Sequence, residues 1–171
     1  MSSHLYKLKT LSVKEPWASL IFKYGKDVEN RSWYSPYCGP LLIHASNKVD
    51  LERNNDASSN CYQDSWKDLV SELQYNGVSE LPHSFAELDI NPGHILGLVW
   101  LSACVKNSRS PWAFPNHYHW LLSDPILFKG SFPCRGRLGL FDTVIPMDDS
   151  DPKRAAAFAP YRCSSAAAAN L

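Results

Sequence analysis

The densest group of side chains that could do chemistry lies at residues 25–33, which read Gly-Lys-Asp-Val-Glu-Asn-Arg-Ser-Trp. Side chains alternate along an extended strand, so Glu29, Arg31 and Trp33 would point to one face. Lys26 precedes this strand at a turn and can lean over the same face. A cation, a carboxylate, a guanidinium and an aromatic ring can hold a phosphate, pair with a base edge and stack on a base. Spacing alone favours a plainer alternative, in which Glu29 and Arg31 pair with neighbours on a solvated strand and Trp33 is core.

A second polar pair follows an apolar stretch at residues 41–43. His44 and Ser46 are two residues apart, so on a strand both would face the same side. Such a pair can form the floor of a binding pocket. The alternative is a hydrogen-bonded core histidine, which the pattern by itself favours.

Six tryptophans could contribute core packing or stacking surfaces. Three lie within apolar patterns that predict core positions, namely Trp17, Trp66 and Trp100. Three lie nearer to polar or irregular segments, which are typical of stacking residues: Trp33, Trp112 and Trp120.

Neither a metal nor an organic cofactor is predicted. The five cysteines are scattered without a C-x-x-C pair and are odd in number, so we expect reduced thiols. A zinc ion would need distant ligands such as His117 and His119, without the paired spacing of structural zinc sites. The sequence also lacks a P-loop, a G-x-S-x-G motif, an H-E-x-x-H motif and a dinucleotide fingerprint.

Charge is distributed unevenly although the net charge is zero. Residues 1–49 have a balance of +4, residues 50–90 of −7 and residues 91–137 of +4. A neutral protein is not expected to grip long nucleic acid by charge alone. Two basic segments that flank an acidic one nevertheless allow a local basic groove.

The elements that must position these residues are several strands and a few short helices. Strands are predicted at 5–13, 28–33, 41–45, 94–105, 118–122, 126–128 and 139–144. Helices are predicted after Pro16, where Gly25 would end the first one, from a cap at Ser65, and at 79–88. Residues 52–64 read as a loop and Asp124-Pro125 as a break between strands. Without regular βαβ alternation, this order favours an α+β fold, as a mixed sheet or small barrel.

Length and composition fit a single domain with a sizeable core. We expect residues 1–147 to form that domain and residues 148–171, with eight alanines, to form a loose helical or disordered tail. The sequence contains no apolar run approaching the ~20 residues that span a bilayer, so no membrane association is predicted. Residues 1–10 lack the pattern of a secretory signal, which makes a cytoplasmic location the default expectation.

The polar segment is part of a longer pattern. Residues 25–31 are accompanied by similar blocks at 11–18, 39–46, 93–97, 119–120 and 135–140. In this combination the chain resembles the ASCH-domain family of the PUA-like superfamily, whose signature G-x-K-x-x-E-x-R follows the first helix. The K-x-x-E-x-R part is kept here, with the glycine one place closer to the lysine. The resemblance spans roughly residues 8–145.

This resemblance implies a PUA-like mixed β-barrel with flanking helices and an RNA-binding cleft lined by Lys26, Glu29 and Arg31. It also implies an enzymatic alternative. One bacterial branch of the family hydrolyses N4-acetylcytidine with a lysine, a threonine and a distant glutamate, and another is reported to cut RNA. Lys26 matches the lysine, but Glu29 stands where the threonine is expected.

Three functions follow from these observations. The first is binding of RNA, a nucleotide or a modified nucleoside, with Trp33 or Trp17 stacking and Lys26 and Arg31 neutralising phosphate. The second is a small hydrolase acting on N4-acylated cytidine or RNA, with Lys26 and Glu29 as the working pair. The third is a scaffold whose acidic residues 50–90 contact a partner. The sequence does not decide whether the chain is an enzyme.

Overall fold

Six strands form one mixed sheet in a computed structural model of the chain, which describes residues 3–51, 63–148 and 156–163. The strands are β1 (Ser3–Glu15), β2 (Val28–Arg31), β3 (Gly39–Val49), β4 (His94–Val105), β5 (Tyr118–Pro133) and β6 (Leu140–Asp148). The helices are α1 (Trp17–Lys23) and α2 (Gln63–Tyr75), with short 3-10 helices at Phe85–Leu88 and Ala159–Tyr161. The strand order is β2-β5-β4-β3-β1-β6, in which β1 and β3 are parallel and the other neighbours antiparallel.

Both faces of the sheet are buried because its strands alternate between two apolar sets. One set, which we call the α1-side core, packs against α1 and includes Leu11, Ile43 and Trp120. The opposite set, the far-side core, includes Leu8, Leu42 and Ile145. Alternate residues of β3 enter the two cores, as expected of a central strand covered on both sides.

A third cluster, the α2 core, supports α1 and β2 from outside the sheet. It joins Trp66 and Leu73 of α2 to Leu20 of α1 and Val28 of β2. These side chains are between 0% and 1% exposed. Because Leu20 and Val28 flank the turn at Gly25, this packing fixes the segment that carries the polar residues.

The predicted α+β fold with a mixed sheet is confirmed, but the sheet is not closed into the β-barrel that the resemblance implies. In the described part of the chain, β2 and β6 are the two edges of the sheet and are not hydrogen-bonded to each other. The sheet curls instead, so that Ile126 and Phe128 of β5 share the far-side core with Ile145 and Met147 of β6. Apolar side chains rather than backbone hydrogen bonds therefore bring β5 and β6 together.

The predicted break at Asp124-Pro125 is also wrong, because β5 continues through it. Trp100 pairs with Ser123 and Leu98 with Ile126, so two residues of β5 lie opposite one of β4. Asp124 has a φ of 50° at this bulge. A bulge accommodates a proline, which cannot donate to the ladder, without ending the strand.

The predicted helices are present, but some of their bounds differ from the prediction. α1 ends before Gly25, whose φ of +68° suits a helix stop. α2 begins at Gln63, two residues before the predicted cap at Ser65. At 79–88 only a single 3-10 turn, Phe85–Leu88, forms. Most of the predicted 52–64 loop lies outside the described residues.

Residues 156–163 contact the sheet at the far-side core. Phe158 is 5% exposed within that core, and the amide of Cys163 donates to the carbonyl oxygen of Leu5 at 2.8 Å. The described helices include none that is both long and apolar enough to cross a bilayer.

Candidate functional site

The polar segment follows directly from the end of α1. The amide of Lys26 donates to the carbonyl oxygen of Leu20 at 3.2 Å, which closes the turn at Gly25. β2 then pairs with β5, placing Glu29 opposite Trp120 and Arg31 opposite Tyr118. Directly opposed residues of antiparallel strands share a face. Glu29 and Arg31 therefore point to one side of the sheet, as the sequence predicted.

Lys26, Glu29 and Arg31 form a continuous chain of ion pairs. The Nζ of Lys26 lies 2.6 Å from Glu29 Oε2 and also donates to the carbonyl oxygen of Val28. Glu29 Oε1 lies 3.1 Å from Arg31 Nε. Arg31 in turn donates from Nη2 to the carbonyl oxygen of Ser12 at 2.6 Å. One carboxylate therefore holds two cations, and Arg31 links β2 to β1.

The inner end of this chain is almost fully buried, since Lys26 is 2% and Glu29 6% exposed. Burial lowers the pKa of Lys26 because it penalises the charged ammonium, and the Glu29 carboxylate opposes that shift. A buried ion pair often stabilises a fold no more than apolar residues of similar size, because desolvation offsets the attraction. Core packing alone therefore does not explain three charged residues at this position.

Trp17 forms one wall of the cleft in front of Lys26. Its Nε1 donates to Asp50 Oδ2 at 2.9 Å, and its ring meets that of Phe114 edge-on at 5.7 Å between centroids. The Lys26 ammonium lies 5.9 Å from the Trp17 ring centroid. Lys14 contacts the other oxygen of Asp50 at 2.6 Å. Trp17 is thus held from two sides with part of its ring exposed.

Burial raises the pKa of Asp50, but hydrogen bonds from Lys14 and Trp17 outweigh that effect and leave the pKa below its ordinary value. Asp50 is therefore a carboxylate at neutral pH and keeps the indole of Trp17 in place. This contact joins the end of β3 to the start of α1.

Asn30 fixes the loop that carries Phe114. Its Nδ2 donates to the carbonyl oxygen of Trp112, and its Oδ1 accepts from the amide of Phe114, both at 2.9 Å. His119 supports the same loop, since its Nε2 donates to the Phe114 carbonyl oxygen at 2.8 Å and its Nδ1 accepts from the amide of Ser108 at 3.2 Å. These two side chains position the outer wall of the cleft.

Replacing Asn30 with alanine should lower the free energy of unfolding by about 1–3 kcal/mol, because a carbonyl and an amide lose their partner together. Chemical denaturation measures this loss. The exposed Asn107 provides the matched control, and its alanine variant should unfold like the wild type. Equal stability of the two variants would contradict the role assigned to Asn30.

The cleft has a volume of about 240 Å³ and is open to solvent. Its lining is Ser12, Lys14, Trp17, Lys26, Glu29, Asn30, Arg31, Asp50, Phe114 and His117. Pockets that bury a drug-sized ligand are typically ~300–1,000 Å³, so this one suits a single base or phosphate. Three cations against two carboxylates leave it with an excess of positive charge. Among the described residues, no three His, Cys, Asp or Glu side chains cluster as metal ligands would.

Four of the predicted site residues meet in this cleft: Trp17, Lys26, Glu29 and Arg31. His44 does not, because it alternates with Ile43 and Ala45 of the α1-side core and points to the opposite face. Its Nε2 donates to the carbonyl oxygen of Cys134 at 2.9 Å, and its Nδ1 lies 3.1 Å from Ser12 Oγ. Burial lowers the pKa of His44. It is a buried, hydrogen-bonded histidine, which was the alternative interpretation of the sequence.

Ser46 and Trp33 are likewise outside the residues that line the cleft. Ser46 Oγ accepts from the amide of Lys48 at 3.0 Å. Trp33 packs edge-on against Trp120 with 4.6 Å between ring centroids, at the margin of the α1-side core.

The division of tryptophans into core and stacking groups was wrong at three positions. Trp112 and Trp120 are 4% and 0% exposed, whereas Trp100 is 37% exposed. Trp100 alternates with Val99 and Leu101, which occupy the α1-side core, so its own side chain points away from that core.

Six residues line the cleft without having been predicted as site residues, namely Ser12, Lys14, Asn30, Asp50, Phe114 and His117. Lys14 lies in the block at 11–18 that accompanies residues 25–31, and this is a signal that could have identified it as a candidate. Asp50, Phe114 and His117 lie far away along the chain. No spacing rule connects them to residues 25–33.

Comparison with known proteins adds three findings. The family model described as ASCH domain matches residues 11–124. Activating signal cointegrator 1 from Homo sapiens is 55% identical over 135 residues, and the protein of that name from Mus musculus is 53% identical over 135 residues. Each alignment covers 74% of this chain and 20% of the relative. The chain thus spans about one fifth of the length of these relatives.

Proposed function

Since the chain belongs to the ASCH domain family, whose members generally bind RNA, we propose that the cleft around Lys26, Glu29 and Arg31 binds RNA or a modified nucleoside. The observation that carries this proposal is the buried chain of ion pairs facing a small open cleft beside Trp17. Ionisable groups with perturbed pKa values in a cleft mark candidate functional sites.

The cleft offers each contact that a nucleotide needs. The exposed part of the Trp17 ring is a stacking surface, and it is held rigidly by Asp50 and Phe114. Stacking on a fixed aromatic ring is a common way of holding an unpaired base. Lys14 and Arg31 lie at the mouth with half-exposed and partly exposed side chains, where they would meet phosphate. Lys26 and Glu29 are deeper and would contact the polar edge of the base.

A hydrolase remains the second candidate because burial lowers the pKa of Lys26. A lysine must lose its proton before it can act as a nucleophile or base, and a lowered pKa makes this easier. The charge of Glu29 and its hydrogen bond with the ammonium raise the pKa of Lys26 and so act in the opposite direction. The structure therefore gives more support to binding than to turnover.

The name of the two relatives describes a cointegrator of activating signals. We propose that a domain of this kind would supply the nucleic-acid contact in such a role.

Replacing Lys14 with alanine should weaken RNA binding and lessen its dependence on salt. The slope of log K against log salt concentration is negative, and removing one phosphate contact to a single strand makes it less negative by about 0.7. Lys14 is half exposed, and its ion-pair partner within the described part of the chain is Asp50, so its loss should barely affect stability. Fluorescence anisotropy with a labelled single-stranded RNA across a salt series measures the slope.

Lys9 provides the matched control, because it lies on the same strand and is also ion-paired to an aspartate, Asp142, at 2.8 Å. It is absent from the lining of the cleft. Lys9→Ala should leave the slope close to that of the wild type. Equal slopes for Lys14→Ala and Lys9→Ala would argue against the cleft as the RNA site.

The same samples can be incubated with N4-acetylcytidine and with RNA while products are followed by chromatography. Binding without product would support a reader of RNA or modified nucleosides. Release of cytidine and acetate, or of cut RNA, would instead identify the hydrolase.

A further inference from the structure

Two tyrosines with exposed aromatic surface lie next to the cleft, and binding of a ligand in the cleft itself gives them no role. We propose that Tyr34, Tyr118 and Lys106 form a second site, which stacks a neighbouring base of single-stranded nucleic acid and holds its phosphate. This inference rests on the proposed function, because it extends the cleft along the bound strand.

The register of the sheet places this second site beside the first. Tyr118 of β5 lies directly opposite Arg31 of β2, and Arg31 lines the cleft. Directly opposed side chains in an antiparallel pair have Cβ atoms ~4.5–5.5 Å apart and share a face. A strand of nucleic acid that contacts Arg31 therefore meets Tyr118 next.

The two tyrosines present aromatic surface to solvent. Their ring centroids are 5.8 Å apart and the rings are inclined at 62°. Tyr118 packs partly against the α1-side core, whereas Tyr34 is 56% exposed. Tyr118 thus anchors Tyr34 from one side, and the ring of Tyr34 is left available for a base. Stacking on such rings tolerates any base, because every base has a flat π-face.

Lys106 supplies the charge that a stacking site for nucleic acid needs. Its Nζ lies 4.5 Å from the centroid of the Tyr118 ring, so the ammonium is held beside the aromatic pair. Residues 91–123 and residues 32–41, which carry these groups, contain no aspartate or glutamate. The site therefore combines exposed aromatic rings with an adjacent ammonium, and its two segments contain no acidic residue. These are the properties expected of a surface that binds single-stranded nucleic acid, which is a polyanion with unstacked bases.

The test compares two ligands of different length. Cytidine 5′-monophosphate should occupy only the cleft, whereas a single-stranded RNA octamer should reach both sites. Tyr34→Ala should weaken binding of the octamer by roughly 5- to 140-fold, the effect of losing one stacked base, and leave binding of the nucleotide unaffected. Tyr34→Phe should keep most of the octamer affinity and Tyr34→Leu should not, since only phenylalanine retains an aromatic face.

Tyr75 is the matched control, because it is 91% exposed and lies on α2. Tyr75→Ala should bind both ligands like the wild type. The stacking site is refuted if Tyr34→Ala and Tyr75→Ala bind the octamer equally while Lys14→Ala still weakens it. If neither ligand depends on Lys14, the proposed function itself fails, and the two failures are thereby distinguished.

Discussion

Replacing Glu29 with glutamine should lower the free energy of unfolding by about 3–5 kcal/mol at neutral pH. Glutamine keeps the size of the side chain but removes the charge that faces both Lys26 and Arg31. Lys26 is 2% exposed, so its ammonium would be left in the interior without a counter-ion. Breaking a buried ion pair from one side is far more destabilising than the net contribution of the pair. Urea denaturation at neutral pH measures the loss.

The pH dependence of this loss has a defined sign. Because burial lowers the pKa of Lys26 in the folded state, the unfolded chain binds more protons between that pKa and the ordinary value of 10.5. The contribution of Lys26 to the free energy of unfolding therefore rises with pH through that interval. Without Glu29 the pKa falls further and the interval begins at lower pH. The difference in free energy of unfolding between Glu29→Gln and the wild type should thus shrink as pH rises from neutral toward the wild-type pKa of Lys26.

A second substitution provides the control for Glu29→Gln. In Lys26→Met/Glu29→Gln the unpaired ammonium is replaced by an apolar chain of similar length. The double variant should regain much of the stability lost in Glu29→Gln, since the uncompensated buried charge that causes most of that loss is gone. A double variant less stable than Glu29→Gln would mean that the ammonium does not depend on this carboxylate.

Trp66→Ala is expected to lower the free energy of unfolding by about 3–5 kcal/mol. The ring is fully buried in the α2 core and lies 6.0 Å from Phe85 between centroids. Its Nε1 donates to the carbonyl oxygen of Pro82 at 3.2 Å, so the substitution also leaves a buried acceptor without its partner. Thermal or chemical unfolding of the variant measures the effect.

Trp100 supplies the comparison for Trp66, because it is 37% exposed on β4. Trp100→Ala removes the same atoms from a partly solvated position and should be clearly less destabilising. If the two variants unfolded alike, the α2 core would not contribute to stability as the packing indicates. Because that core contains Leu20 and Val28, its loss should also disturb the turn that carries Lys26.

Much of the fold could be predicted from local pattern. Alternation and apolar content located β1, β3 and β4, and helical spacing located α1 and α2. The interruption at Asp124-Pro125 was misjudged because a bulge inside a strand resembles a strand end when only residue types are considered. The pattern of single segments could not predict whether the sheet closes into a barrel. Closure depends on the curvature of the whole sheet, which sets the distance between β5 and β6.

The sequence by itself determined the inner part of the candidate site. Lys26, Glu29 and Arg31 lie within six residues, and strand alternation with a glycine turn suffices to bring them together. The sequence alone could not show whether His44 and Lys26 lie on the same face of the sheet, because the answer depends on the register between β3 and its neighbours.

Only the tertiary structure decided the rest of the cleft. Asp50 reaches Trp17 because β3 runs parallel to β1, and Phe114 reaches it because Asn30 holds the 112–114 loop. The same holds for Tyr34 and Tyr118, which meet through the pairing of β2 with β5. Contacts between residues distant in the chain depend on strand pairing and loop anchoring, and neither is encoded in the periodicity of a single segment.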